Sequence, residues 1–175
     1  MLIPTLRKAH PWESAKPAAS SPGATPVDLV CEHAEGKARS AHRSGRVTLG
    51  VDTTVLLDDE VYGKPADADA AEAMLRRLSG RTHTVLSGVC LLGDGFEVTA
   101  HEVTSVTFRL LSAADLEAYL ESGEWKDRAG GYAIQGRGAR LVERIEGDYL
   151  NVVGLPAALL VSLLERNAPN LLQIG

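Results

Sequence analysis

One carboxylate, Asp52, stands within Gly50-Val51-Asp52-Thr53-Thr54-Val55, a run otherwise suited to burial. An ionised carboxylate taken out of water without partners costs several kcal/mol, so such a residue is hydrogen-bonded, linked to a metal or catalytic. Lys64 lies between Gly63 and Pro65, where a turn can fix an ammonium toward an anion; a solvated turn lysine is the plain alternative. From Lys126 to Arg144, five basic residues (Lys126, Arg128, Arg137, Arg140, Arg144) meet two acids (Asp127, Glu143) around Gly130, Gly131, Gly136 and Gly138. Glycines let backbone N–H groups approach an anion closely, and phosphates favour such loops with cations nearby. The spacing matches neither G-x-x-x-x-G-K-[ST] nor G-x-G-x-x-G, which leaves a solvated charged surface as the plain reading. Lys37 stands two residues from Glu35 on an expected helix, where a surface ion pair is the ordinary explanation.

Other chemistries lack their signatures. His10, His33, His42, His83 and His101 show no H-E-x-x-H spacing and no serine sits in a G-x-S-x-G elbow, against zinc-hydrolase and α/β-hydrolase chemistry. Cys31 and Cys90 have no metal spacing and read as free buried thiols.

These side chains need elements to position them. Val27, Val30, Cys31, Ala34 and Ala38 recur at helical spacing behind Pro26, which predicts a helix of about three turns. Val47–Leu57 reads as a strand closed by Asp58-Asp59-Glu60, with a short return at Val61-Tyr62. A helix is expected over Asp67–Leu78, then strands Thr82–Leu92 and Phe96–Leu110 about the hairpin signal Gly93-Asp94-Gly95. Ser112 with Asp115 resembles a capping box and opens a helix that ends at Gly123. A strand near Arg140–Ile145 and a last, apolar helix after Pro156 complete the pattern. The expected class is α/β, with antiparallel hairpins in a mixed sheet and flanking helices.

Composition sets the outer bounds. The chain has 175 residues, net charge −5 and 5% aromatics, against a nucleic-acid binder, which wants a basic face and stacking rings. A small anion at a local positive site remains open. Leu155–Leu164 is broken by Pro156 and Ser162 and is too short to span a bilayer, and the expectation is a cytoplasmic protein without membrane contact. Five of the eight prolines fall in residues 1–26, a mildly basic head expected to hold little order, ahead of one domain over residues 27–175.

Several segments then match one family in order and spacing. They are Glu35-Gly36-Lys37-Ala38, Gly50–Val55, Tyr62-Gly63-Lys64-Pro65, Leu78-Ser79-Gly80-Arg81-Thr82-His83, Ala129–Gly136 and Gly147–Pro156. Over about residues 26–166 the chain resembles the Maf family of nucleoside triphosphate pyrophosphatases. The resemblance implies an elongated, two-lobed α/β fold of the Maf/ITPase-like kind with a central cleft, often as a homodimer. It also implies hydrolysis of nucleoside triphosphates to monophosphate and pyrophosphate with a divalent metal, Mg2+ or Mn2+. Asp52 matches the family's proton acceptor, Lys37 and Lys64 match lysines that face the phosphates, and Thr53 and Gln135 match positions tied to base selection. The Tyr132-Ala133-Ile134-Gln135-Gly136 form is similar to the branch acting on dTTP and UTP; the 7-methyl-GTP branch has a Ser-Glu pair in place of Ile134-Gln135.

The resemblance further implies a first strand followed by S-x-S-P-R-R, whose serine and arginines grip the triphosphate. Ser20-Ser21-Pro22 is followed by no arginine pair and lies too close to Lys37. A start or frame error in the coding sequence is the expectation, with an inactive nucleotide-binding or regulatory relative, its first strand absent, as the competing one.

Overall fold

Helix α1 (Pro26–Ala41) begins where its sequence dictates: the Thr25 side chain accepts from the Asp28 N–H, and the Asp28 carboxylate accepts from the Thr25 N–H. The structure, a computed structural model, describes residues 23–173; the expected head lies outside the described residues up to Pro22. The helix runs beyond the three turns expected, because the buried face of Val30, Ala34 and Ala38 continues along the sheet and Arg39 in the last turns bridges Glu35 and Glu97.

Beneath α1 lies one five-stranded sheet, ordered β2-β1-β3-β4-β5, with β1 Thr48–Leu57, β2 Glu60–Tyr62, β3 Thr82–Gly93, β4 Phe96–Phe108 and β5 Val142–Glu146. Every neighbouring pair is antiparallel, where interleaved helices and strands suggest a mixed sheet. The reason is placement. Helix α2 (Ala68–Leu78) does join two strands of like direction, β2 and β3, but they flank β1 instead of touching. The β1–β2 turn uses Asp58 and Asp59 at φ 52° and 63°, the left-handed pair that a tight hairpin requires.

Helix α1 lies on the sheet with bare backbone at two points. A Cβ at Gly50 would collide with the Ala34 carbonyl, and one at Gly88 with the Val30 carbonyl. On the opposite sheet face two apolar clusters sit toward the two ends of β3. Val55, Val85, Phe108 and Tyr132 join α2 and α3 (Ala113–Glu121) in the larger one; Val89, Leu91 and α5 (Ala157–Asn167) form the smaller. Between them on that face stand the paired polar residues Thr53 and Ser87. Alternation along β1 therefore reads Val51, Thr53, Val55, and the polar break marks where the two lobes part.

A short helix α4 (Tyr149–Val153), not expected from the sequence, is capped by the Asp148 side chain and by Gly154 at φ 115°. It buries Asn151, whose amide donates to Val85 O and Thr104 Oγ1 at 3.1 and 3.0 Å. Cys90 is buried and Cys31 only partly so, and both thiols are free. Among the described residues no helix is long and apolar enough to cross a membrane.

Candidate active site

The return strand β2 pairs only with Val55–Leu57 of β1, so among the described residues Thr48–Thr54 have a strand neighbour on one side only, β3. A pocket of about 290 Å3 wraps this open edge and takes side chains from both sheet faces. Asp52 and Lys37 come from the α1 face, and Thr53 and Val55 from the other. All five residues expected to form the site (Lys37, Asp52, Thr53, Lys64 and Gln135) line it.

Asp52 is mostly buried, and each of its oxygens has a partner. Oδ1 accepts from Lys37 Nζ at 2.6 Å, and Oδ2 lies 3.1 Å from His33 Nδ1. Lys37 Nζ also donates to the Val51 carbonyl at 2.8 Å. The surface pair with Glu35 does not form: Glu35 turns away and accepts from Thr99 Oγ1 at 2.9 Å and Arg39 at 3.2 Å. His33 and Lys37 are one helical turn apart and share a face. That spacing was the available signal for His33, which sequence reasoning left without a role.

The other wall is the glycine loop. Gly130, at φ 68°, donates its N–H to the Gly63 carbonyl at 3.1 Å and sits so close to Val55 that a Cβ would lie 2.9 Å from Cγ2. This contact ties the Gly63-Lys64-Pro65 turn to the loop. Lys64 Nζ stands at the rim, 3.8 Å from Asp127 Oδ1, and Gln135 is exposed there. Of the five basic residues around the loop, only Arg128 borders this pocket. Lys126 lies over the Trp125 ring, Arg144 pairs with Glu146, and Arg137 and Arg140 line another cavity. The expected basic cluster is therefore dispersed, because successive short helical turns aim its members in different directions.

Neutral groups hold the loop from behind. Burial pushes the Tyr132 phenol far above its ordinary range and lowers His83 to about 4, so their 2.8 Å Oη–Nε2 contact is a hydrogen bond between uncharged partners. Phe108 packs edge-on against both rings. Tyr119, raised to about 12 by burial, accepts from the Ala133 N–H at 3.0 Å.

Three cations, Lys37, Lys64 and Arg128, thus share a cleft with two carboxylates, Asp52 within it and Asp127 at the rim, a set suited to a polyanion with a base or ligand at Asp52. No group of three metal-ligating side chains occurs among the described residues. Asp52 with Asp127 at the rim suits a magnesium-like ion, which takes one or two protein carboxylates and completes its shell with phosphate oxygens and water.

A sequence profile described as Maf-like protein matches residues 4–167, beginning 22 residues before Pro26. The chain is 51% identical over 142 residues to a dTTP/UTP pyrophosphatase of Symbiobacterium thermophilum, an alignment covering 80% of this chain and 73% of the relative. It is 48% identical over 163 residues to one of Nitratidesulfovibrio vulgaris, covering 89% and 78%. A third, from Clostridioides difficile, is 44% identical over 148 residues, covering 82% and 76%. The pocket built on β1, the glycine loop and these matches give one conclusion: the chain belongs to the Maf-like protein family.

Proposed function

We propose that the chain hydrolyses nucleoside triphosphates, dTTP and UTP foremost, to nucleoside monophosphate and pyrophosphate. The observation that carries this reading is the Lys37–Asp52 pair at 2.6 Å in a pocket shared with Lys64 and Arg128. Relatives named dTTP/UTP pyrophosphatase support it.

In the proposed reaction water attacks the α-phosphorus and Asp52 takes its proton. The bond from that phosphorus to the bridging oxygen breaks, and pyrophosphate leaves. Lys37, Lys64 and Arg128 face the charge that develops on the α-phosphate and the leaving group, and they are already in place before the reaction. Lys37 is held by the Val51 carbonyl as well as by Asp52, so its ammonium stays directed when a phosphate competes for it. A divalent cation, Mg2+ or Mn2+, would be held by Asp52 and the phosphate oxygens, and it supplies charge neutralisation and Lewis-acid polarisation.

Base choice falls in this reading to the polar groups Thr53 and Gln135, which line the same pocket. Uracil and thymine present acceptor, donor and acceptor along one edge. The Gln135 carboxamide can accept from the ring N–H while donating to a neighbouring carbonyl, and the Thr53–Ser87 pair, 2.7 Å apart, keeps one hydroxyl hydrogen for a ligand. Cytosine reverses two of these groups.

Incubation of the purified chain with Mg2+ or Mn2+ and a panel of nucleoside triphosphates tests the reading. Pyrophosphate release from dTTP and UTP is expected. Nucleotide binding without release would instead establish the competing reading, a non-catalytic nucleotide-binding protein.

A further inference from the structure

The basic stretch is divided by the fold, and its other half lines a second cavity. Arg128, Ala133 and Gln135 border the Asp52 pocket, whereas Arg137 and Arg140 border a separate cavity of about 510 Å3, a volume usual for small-molecule sites. Its apolar lining comes from Ala118 and Tyr119 on α3 and from Leu141. Arg109 and Asp115 also border it but neutralise each other through a two-bond pair of 2.9 and 2.6 Å. Arg137 and Arg140 form no salt bridge among the described residues. Glu124, the acid next to Arg137, is engaged by that residue's backbone N–H at 2.7 Å.

Two guanidiniums without an ion pair among the described residues, beside an apolar lining, match a phosphate carried on a larger body. The planar fork binds phosphate oxygens in pairs, and the lining takes the rest of the molecule. A link to the first pocket is built in. Tyr119 lines the second cavity, and its hydroxyl accepts from the Ala133 N–H at 3.0 Å, two residues before Gln135. We propose that this cavity is a second anion site, which takes a phosphorylated small molecule of nucleotide size on Arg137 and Arg140 and is linked through Tyr119 to the Ala133–Gln135 loop. The site goes beyond the proposed hydrolysis, and binding to it stands or falls separately.

Amide NMR of the full chain carrying Lys37→Ala and Lys64→Ala, which strips the first pocket of its ammoniums, tests this with UMP and inorganic pyrophosphate as probes. Saturable shifts are expected at Ala118 and Tyr119, with a further shift at Ala133. Adding Arg137→Ala and Arg140→Ala should weaken binding at least 10-fold. Ala118→Glu, an exposed helical position, should do the same by offering the arginines a carboxylate. Both probes acting alike assigns the site to the phosphate group, and UMP acting alone assigns it to a nucleotide. Absence of shifts on α3, or shifts that survive both variants, overturns the site. Shifts on α3 without one at Ala133 overturn the link.

Discussion

Asp52 has a partner on each oxygen, and the two partners do different things. Lys37 is a fixed charge, whereas His33 is a half-exposed imidazole that holds the carboxylate plane from the same helix. Replacing Asp52 with Asn keeps the shape and one acceptor but removes the base, and should lower dTTP and UTP turnover by about 10²–10⁴-fold in a steady-state assay, with an unchanged circular dichroism spectrum. Replacing His33 with Leu leaves Oδ2 without that partner. The loss of one hydrogen bond, about 0.5–1.5 kcal/mol, should cost roughly 2–12-fold in kcat, with KM little changed because the phosphate-facing cations remain. The carboxylate was legible from its apolar surroundings. The destination of Lys37 was not, since sequence spacing placed Glu35 nearby and only the docked helix shows which side chain turns inward.

Helix α1 brings Lys37 and His33 to β1 because no side chain stands between the helix and the sheet at Gly50 and Gly88. A methyl group at Gly88 must push Val30 and the helix outward. Gly88→Ala should therefore lower the urea-unfolding free energy by about 1–3 kcal/mol and reduce activity by more than the unfolded fraction explains, because the Lys37–Asp52 contact opens with it. Most elements were readable from periodicity and caps: Pro26 opens α1, the Ser112 capping box starts α3, and the Asp94-Gly95 hairpin closes β3 on β4. Two features were not. Helix α4 is too short to show a period, and it is fixed by caps and by the buried Asn151. The strand order depends on β3 seeking β1 across α2, a non-local pairing that local patterns do not encode.

At the scale of the molecule, a histidine packed on Phe108 and Tyr132 of the larger core is held far below its ordinary range. His83 is 2% exposed, and burial lowers its pKa from 6.5 to about 4. The unfolded chain takes up this proton near pH 6.5 while the folded chain resists it until about pH 4, so folding stability is full above the first value and falls toward the second. The difference at pH 5 is about 2 kcal/mol by linkage. Urea titrations at pH 7 and 5 should show that loss, and His83→Gln should flatten it.

The strands β3 and β4, of 12 and 13 residues, pair along their whole lengths and run past both apolar clusters. They join the two lobes as a continuous ribbon with no loop at the polar Thr53–Ser87 break. A nucleotide entering between the lobes therefore meets a spring and not a door hinge. Any closing motion about the proposed site would have to be spread over many residues as added twist and bend of this ribbon, since no single linker is there to concentrate it.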